Sequence, residues 1–304
     1  MICDICPRKC NIDRSKAVGF CGMTSTVKLA KADVFMWEEP CISGTNGSGA
    51  VFFSGCNLRC CFCQNYQISN QNFGKEISIQ RLAQIFKELE NKGVHNINLV
   101  SPSHFANQII EALKIYRPNI PIVYNSNGYE SVETIKKLKN YVDIYLVDLK
   151  FCSSELSQKY CKANNYFEIA TSAIKEMISQ KPKVVVQNGI MKQGVIIRHL
   201  IMPSQTADSL KILQWIADNA KENCLVSLMC QYTPYFNAKN FPEINRKLKP
   251  IEYKIVLAKA NELGLTNGYA QDMSSATEDF IPLWDLRGVW FNTSFSVNFA
   301  LCFK

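Results

Sequence analysis

The stretch Ala50-Val51-Phe52-Phe53-Ser54-Gly55-Cys56-Asn57-Leu58-Arg59-Cys60-Cys61-Phe62-Cys63 runs from an unbroken apolar segment straight into a C-x-x-x-C-x-x-C spacing. A short apolar run closed by Ser-Gly reads as a strand buried on both faces, the kind that builds parallel sheets. The loop leaving its C-terminal end brings together three spaced thiols, Cys56, Cys60 and Cys63. Three thiolates on one short loop grip three irons of a 4Fe-4S cube. With no fourth cysteine at ferredoxin spacing, one iron is left to bind a small molecule. Zinc asks for four ligands closing a tetrahedron, usually from two C-x-x-C knuckles, and this loop offers unequal spacing instead. Thiols packed as small buried hydrophobes are the plain alternative.

Working outward, 304 residues with 47% hydrophobic content bury enough core for one α/β barrel and a small appendage. Fourteen cysteines would mean disulfides in a short secreted chain. The opening Met1-Ile2-Cys3-Asp4-Ile5-Cys6-Pro7 has no apolar signal core, so the expected compartment is the reducing cytoplasm. No uncharged stretch reaches the roughly eighteen apolar residues of a membrane helix; the nearest, Gly288 to Phe303, is broken by Asn and Ser. The net charge of +8, from 34 basic and 26 acidic residues, is spread along the chain. That distribution describes a solvated surface that suits an acidic electron donor or protein partner and gives nucleic-acid binding little support.

After the turn Ser43-Gly44-Thr45-Asn46-Gly47-Ser48-Gly49, apolar strands alternate with amphipathic helices, the signature of a parallel sheet. Strands are expected at 50–53, 96–100, 121–124, 142–147, 183–186, 195–201 and 225–230. Helices are expected at 79–90, 105–116, 131–138, 155–161, 166–179, 206–220 and 251–263. About six strand–helix units fall short of the eight of a closed barrel and predict an open, partial one. The expected division is a Cys-rich segment over 1–45, the barrel over 46–270 and a C-terminal extension over 271–304. Polar residues collect at strand ends, where parallel barrels carry catalysis. They are Ser101-Pro102-Ser103-His104, Asn125-Ser126-Asn127-Gly128, Asp148-Leu149-Lys150, Arg198-His199 and Gln231-Tyr232.

The strings FFSGCNLRCCFCQN, HNINLVSPSHF, VYNSNGYE, DIYLVDLK, IIRHLIMPS and LMCQYTP, with the leader CPRKC, resemble the radical SAM superfamily. Within it they resemble the pyruvate formate-lyase activating enzyme-like proteins with a Cys-rich leader. The resemblance covers roughly residues 1 to 288 and implies an α/β fold, a partial (β/α)6 TIM-like barrel. It further implies a 4Fe-4S cluster on Cys56, Cys60 and Cys63, with Cys61 a bystander. S-adenosylmethionine would chelate the open iron and be cleaved reductively to a 5'-deoxyadenosyl radical for hydrogen abstraction. A flavodoxin or ferredoxin is the implied electron donor and a glycyl radical enzyme the implied partner.

Carried over by position, Phe62 resembles the aromatic whose backbone lies near adenine. Ser101 and Ser103 stand where relatives hold the substrate's ammonium with a Gly-Gly-Glu motif that this chain lacks. Asn125 and Asn127 suit ribose or carboxylate. Asp148 and Lys150 match the string near the methionyl group, Arg198 has a fork suited to a carboxylate, and His199 is a donor beside it. Each has a bland reading too: Asn-Gly as a turn, Asp-Lys as a surface pair, His199 as a satisfied core group. Competing functions are a radical SAM enzyme modifying a small molecule or peptide, an iron–sulfur electron carrier without substrate, and a zinc-stabilised interaction protein.

Two regions stand apart. Cys3, Cys6, Cys10 and Cys21 form a second constellation, with Pro7 after Cys6 as in ferredoxin loops. Four thiolates there would satisfy zinc, a rubredoxin-like iron or an auxiliary cluster, and buried free thiols are the alternative. At the far end Phe291, Thr293, Phe295, Val297, Phe299, Leu301 and Phe303 alternate with the period of a strand. That pattern predicts an edge strand with no catalytic role.

Overall fold

The computed structural model describes residues 2–275 and 281–290. In chain order the elements are β1 (Val27–Phe35), α1 (Pro40–Ser43), β2 (Ser48–Phe53), α2 (Tyr66–Ser69), β3 (Lys75–Ile77), α3 (Ile79–Asn91) and β4 (Ile97–Val100). Then come α4 (Ala106–Ile115), β5 (Ile122–Ser126), α5 (Val132–Leu138), β6 (Ile144–Asp148), α6 (Ser154–Cys161), α7 (Tyr166–Gln180) and β7 (Val185–Gln187). The chain continues through β8 (Ile190–Leu200), α8 (Thr206–Asn219), β9 (Leu225–Met229), α9 (Pro250–Glu262) and β10 (Gly268–Ala270).

One sheet carries the fold, in the order β10-β9-β8-β6-β5-β4-β2-β1-β3, with β7 folded back on β8. From β2 to β10 the neighbours along this path are parallel, whereas β1 pairs antiparallel with both β2 and β3. The crossovers α3, α4, α5, α6 with α7, α8 and α9 match the expected open (β/α)6 architecture. Strands β2, β4, β5 and β9 are buried along their whole length, which is why they read as continuous apolar runs. Helix α3 shows how the crossovers are specified. Ser78 caps it by accepting from the Arg81 N–H, and Leu82, Ile85, Phe86 and Leu89 supply its buried stripe.

The short helix α1 closes the bottom of the barrel. Its Cys41 and Ile42 pack with Val123, Ile144, Met191, Ile196 and Leu225, residues near the N-terminal ends of their strands. The Asn96 amide donates to Ile42 O at 2.7 Å and fixes the plug. Within the leader expected over 1–45, residues 27–35 are β1, an integral strand of the sheet.

Residues 281–290 fold back over β1 and α3. The Ala32 N–H donates to Arg287 O at 2.8 Å, and Arg81 donates to the carbonyls of Gly288, Val289 and Trp290 at 2.9, 3.0 and 2.7 Å. The alternating run Phe291 to Phe303 lies outside the described residues. Among the described residues, no helix is long and apolar enough to cross a membrane.

Candidate active site

Strand β2 delivers the cysteine loop through a glycine that nothing else can replace. Gly55 has φ +82, and a Cβ there would lie 2.7 Å from Cys21 O and 2.5 Å from Met23 Cγ. Arg59 turns the loop with φ 56, held there by donating to Phe20 O at 3.3 Å and Asn70 O at 2.6 Å. Asn57 ties the loop to the segment after β5 by donating to Tyr129 O at 2.7 Å. Asn127 returns the bond, donating to Asn57 Oδ1 at 2.7 Å and lying 3.4 Å from Cys56 Sγ.

Cys56, Cys60 and Cys63 line a cavity of about 410 Å³ inside the barrel, within the size range of ligand pockets. Cys61 is not in the lining; its N–H donates to Tyr160 O at 2.9 Å. Burial pushes the Cys63 thiol up to about 12 and also raises Cys56. Cys60 goes the other way. The Cys161 thiol donates to its Sγ at 3.1 Å and, with the nearby Lys150 charge, holds it below the usual thiol range.

In the same cavity a charged network joins four strands and the segment after β1. Arg198 Nε donates to Asp148 Oδ1 at 2.8 Å, Nη2 to Asn125 Oδ1 at 2.7 Å and Nη1 to Glu38 Oε2 at 3.2 Å. Lys150 Nζ meets Asp148 Oδ2 at 2.5 Å. Glu38 Oε1 accepts from Asn98 at 2.8 Å and Asn125 at 3.2 Å. Burial works against the Asp148 charge, yet Arg198 and Lys150 together keep its carboxyl below the ordinary range. At Glu38 burial wins over Arg198 and pushes the carboxyl up to about 7.

Phe62, Ser101, Asn125, Asn127, Asp148, Lys150 and Arg198 therefore share one cavity with the three loop thiols. Phe62 is wedged between Phe151 and Tyr232, with ring centroids 6.2 and 5.9 Å away. Ser103 and His199 are not in the lining. The Ser103 hydroxyl donates to Glu130 Oε1, a carboxyl that burial pushes up to about 7. His199 lies behind the wall, its Nδ1 2.8 Å from Leu149 O and its Nε2 2.9 Å from Ser209 Oγ. Strand alternation explains this: with Arg198 facing inward, its neighbour faces the helices. Burial drives the His199 imidazole down to about 4, so it is neutral.

Glu38 and Glu39 went unnoticed in the sequence because they precede a plug helix and end no inner strand. The available signal was a pair of acids in Phe35-Met36-Trp37-Glu38-Glu39-Pro40-Cys41-Ile42, an otherwise apolar run apart from its proline.

Three cavity-lining side chains hold a buried polar atom without a partner: Glu39 Oε2, Asn65 Oδ1 and Thr233 Oγ1. Orphans of this kind mark a ligand's place. Three thiols on one wall, with no imidazole beside them in the lining, are the donor chemistry that suits an iron–sulfur cluster over most single metals. Among the described residues, no group of three or more His, Cys, Asp or Glu side chains is gathered tightly enough to hold a single metal ion. The metal expected at Cys3, Cys6, Cys10 and Cys21 thus gains no support. Burial pushes Cys6 up to about 12 and raises Cys21, as it does Cys63 and Cys56, so the thiol shifts do not separate the two cysteine groups.

The family model described as the Radical SAM superfamily matches residues 50–216. An uncharacterized protein of Methanocaldococcus jannaschii is 32% identical over 275 residues, 86% of this chain and 76% of that one. The pyruvate formate-lyase-activating enzyme of Clostridium pasteurianum is 25% identical over 222 residues, covering 69% of this chain and 86% of its own length. Among solved structures, Streptococcus suis SuiB bound to the precursor peptide SuiA aligns with a TM-score of 0.50 and 13% identity. That alignment covers 71% of this chain and 46% of SuiB, and it speaks for the fold alone.

Proposed function

The chain belongs to the radical SAM superfamily, and on that premise we propose that Cys56, Cys60 and Cys63 hold a 4Fe-4S cluster at which S-adenosylmethionine is cleaved reductively. The observation that carries this reading is the shared cavity: the three thiols and the Asp148–Lys150–Arg198–Glu38 network line one void, with the Lys150 charge acting on Cys60. When bound, the cluster would supply the low-potential electron that splits the sulfonium into methionine and a 5'-deoxyadenosyl radical.

The chain's own residues bind, orient and shield. Asn127 and Ser69 brace the Cys56 and Cys63 sulfurs, with contacts of 3.4 and 3.2 Å. Ser101, Asn125 and Asn127 present polar groups to the cofactor's ribose, carboxylate and ammonium, and Phe62 borders its adenine. Asp148 fixes Lys150 and Arg198 in place, leaving the guanidinium fork preorganised toward a carboxylate. His199 positions the Asp148–Lys150 strand end by its bond to Leu149 O. Phe52, Phe53 and Tyr232, all buried, close the walls against water.

The likeness to the activating enzyme of C. pasteurianum supports an enzyme of the pyruvate formate-lyase kind, a glycyl radical enzyme, as recipient; a flavodoxin or ferredoxin is the donor that the family resemblance implies. A second reading, hydrogen abstraction from a small molecule or side chain, is favoured by the size of the cavity that the thiols line, about 410 Å³. Anaerobic reconstitution followed by dithionite should release 5'-deoxyadenosine from S-adenosylmethionine; protein that carries a reducible cluster and releases none would reject the proposal. Candidate partner enzymes then divide the two readings through the glycyl doublet in electron paramagnetic resonance.

A further inference from the structure

We propose that the floor of the cavity binds a protonated primary amine, held by the Glu39 carboxylate within a collar formed by Phe35, Trp37 and Tyr269. The use of that site in catalysis rests on the function proposed above; the binding itself does not.

Glu39 differs from the other carboxyl groups of the cavity in its hydrogen bonding: its charge acts on Arg198, but its Oε2 meets no donor. The acidic side chains lining the cavity are Glu38, Glu39 and Asp148, and the basic ones Lys150 and Arg198. Asp148 is matched by Lys150 at 2.5 Å and Arg198 at 2.8 Å. Glu38 is matched by Arg198, Asn98 and Asn125. Glu39 is 8% exposed, and its Oε2 is buried without a hydrogen-bond partner. A buried carboxylate oxygen in that condition is costly, and a cation that pairs with it removes the cost.

The backbone explains why the group is held there. Glu39 occupies the N-cap of α1 without using its side chain as a cap, and Pro40 follows it. Its carbonyl accepts from the N–H groups of Ile42 and Ser43 at 2.7 and 3.0 Å. The plug residues Cys41 and Ile42 then lock the turn from below. With the main chain fixed and the side chain unused as a cap, Glu39 is left in the wall of the cavity.

The walls suit a cation as well. Phe35, Trp37 and Tyr269 line the same cavity, and aromatic faces attract an ammonium that a neutral group of equal size does not exploit. Trp37 is 58% exposed, which puts the collar at an open edge of the barrel through which an amine can enter. The amine can belong to a free alkylamine or to a lysine side chain; the recognised chemistry is the same.

Titration calorimetry on the reconstituted, unreduced protein with S-adenosylmethionine present tests this, using pentylammonium, Nα-acetyl-lysine amide and neutral 1-pentanol. Pentylammonium is expected to bind at least about tenfold more tightly than 1-pentanol, and Glu39→Gln to erase that preference. Trp37→Leu should weaken the ammonium alone by about threefold, and it carries the test if circular dichroism shows that Glu39→Gln is not folded. Tighter binding of the lysine amide assigns the site to a peptide, and tighter binding of pentylammonium to a free amine. Equal affinity for the alcohol and the ammonium overturns the proposal, as does a preference that survives in folded Glu39→Gln or displacement of the ammonium by S-adenosylmethionine. Release of 5'-deoxyadenosine without amine selectivity sinks this inference alone. Amine selectivity in a protein that carries a reducible cluster but releases no deoxyadenosine sinks the proposed function alone.

Discussion

Two regions of the molecule are rich in cysteine, and they differ in what their sulfurs face. The loop after β2 turns Cys56, Cys60 and Cys63 onto a cavity wall. In the leader Cys6 and Cys21 are buried and Cys3 and Cys10 half-buried, Cys10 Sγ accepts from the Phe20 N–H at 3.3 Å, and none of the four lines that cavity. What the leader sends toward the cavity loop is an arginine. Arg8 Nε donates to Asn57 O at 2.7 Å and Nη2 to Cys161 O at 3.2 Å. Arg14, 6% exposed, likewise donates to Met23 O and His104 O at 3.2 and 2.6 Å. Both regions have the cysteine spacing; the loop opens on a void at a strand end, whereas the leader's arginines brace the segments around it.

The sharpest way to break this contrast is to remove sulfurs one region at a time. Cys60→Ala is expected to abolish cluster absorption and 5'-deoxyadenosine release together, whereas Cys6→Ala should retain both at reduced stability. Iron and zinc analysis of the Cys56, Cys60 and Cys63 triple alanine variant should find less than about a tenth of a metal per chain, since structural sites hold metal stoichiometrically. A full equivalent would restore the leader as a metal site.

Next in size is the network beneath the loop. Asp148→Asn leaves Lys150 and Arg198 without the charge that fixes them, so activity should fall by about a hundredfold or more while cluster absorption persists. Loss of the cluster itself would show that Asp148 serves the loop. Arg198→Lys should fare nearly as badly, because one ammonium cannot replace a fork that reaches Asp148, Asn125 and Glu38 at once.

A smaller effect is expected at Glu130, where the two regions meet. Its oxygens accept from Ser103 and Tyr124, and its charge also acts on Cys6. Burial lifts this carboxyl from an ordinary 4.5 to about 7. Because the folded value is the raised one, its stabilising contribution is complete below 4.5 and is lost as the pH rises through about 7. Linkage puts the loss at about 3 kcal/mol at most. Glu130→Gln carries a constant penalty instead. The stability gap between the two proteins, from urea titrations at pH 4.5 to 8, should therefore narrow or reverse as the pH climbs. A constant gap would mean that Glu130 keeps an ordinary pKa.

The same contrast governs what the sequence could reveal. Inner parallel strands such as β4 and β5 were legible because both faces are buried, and so was the cysteine loop at the end of β2. Strand β1 was not: Lys28, Lys31 and Asp33 interrupt its apolar residues, and it enters the sheet antiparallel, before the alternating pattern starts. His199 and Arg198 looked equivalent as neighbours in a string, yet the pleat sends one to the cavity and the other behind it. The carboxylates Glu38 and Glu39 act through a plug helix, and no periodicity announces a plug.

The finest test concerns Arg8, because it asks whether the leader serves the loop or merely sits beside it. Its guanidinium lies 3.9 Å over the Phe20 ring while holding the carbonyls of Asn57 and Cys161. Charged hydrogen bonds of this kind contribute about 2 kcal/mol together, after the exposure of the site is allowed for. Arg8→Ala should therefore cost about that much in urea unfolding and hasten cluster loss to a chelator, leaving amine binding at the floor untouched. Arg8→Lys should recover little, since a single ammonium cannot span two carbonyls and a ring. If cluster lifetime is the same in Arg8→Ala and wild type, the leader's hold on Asn57 is incidental. The loop's shape would then come from Gly55, Asn127 and the strand end alone.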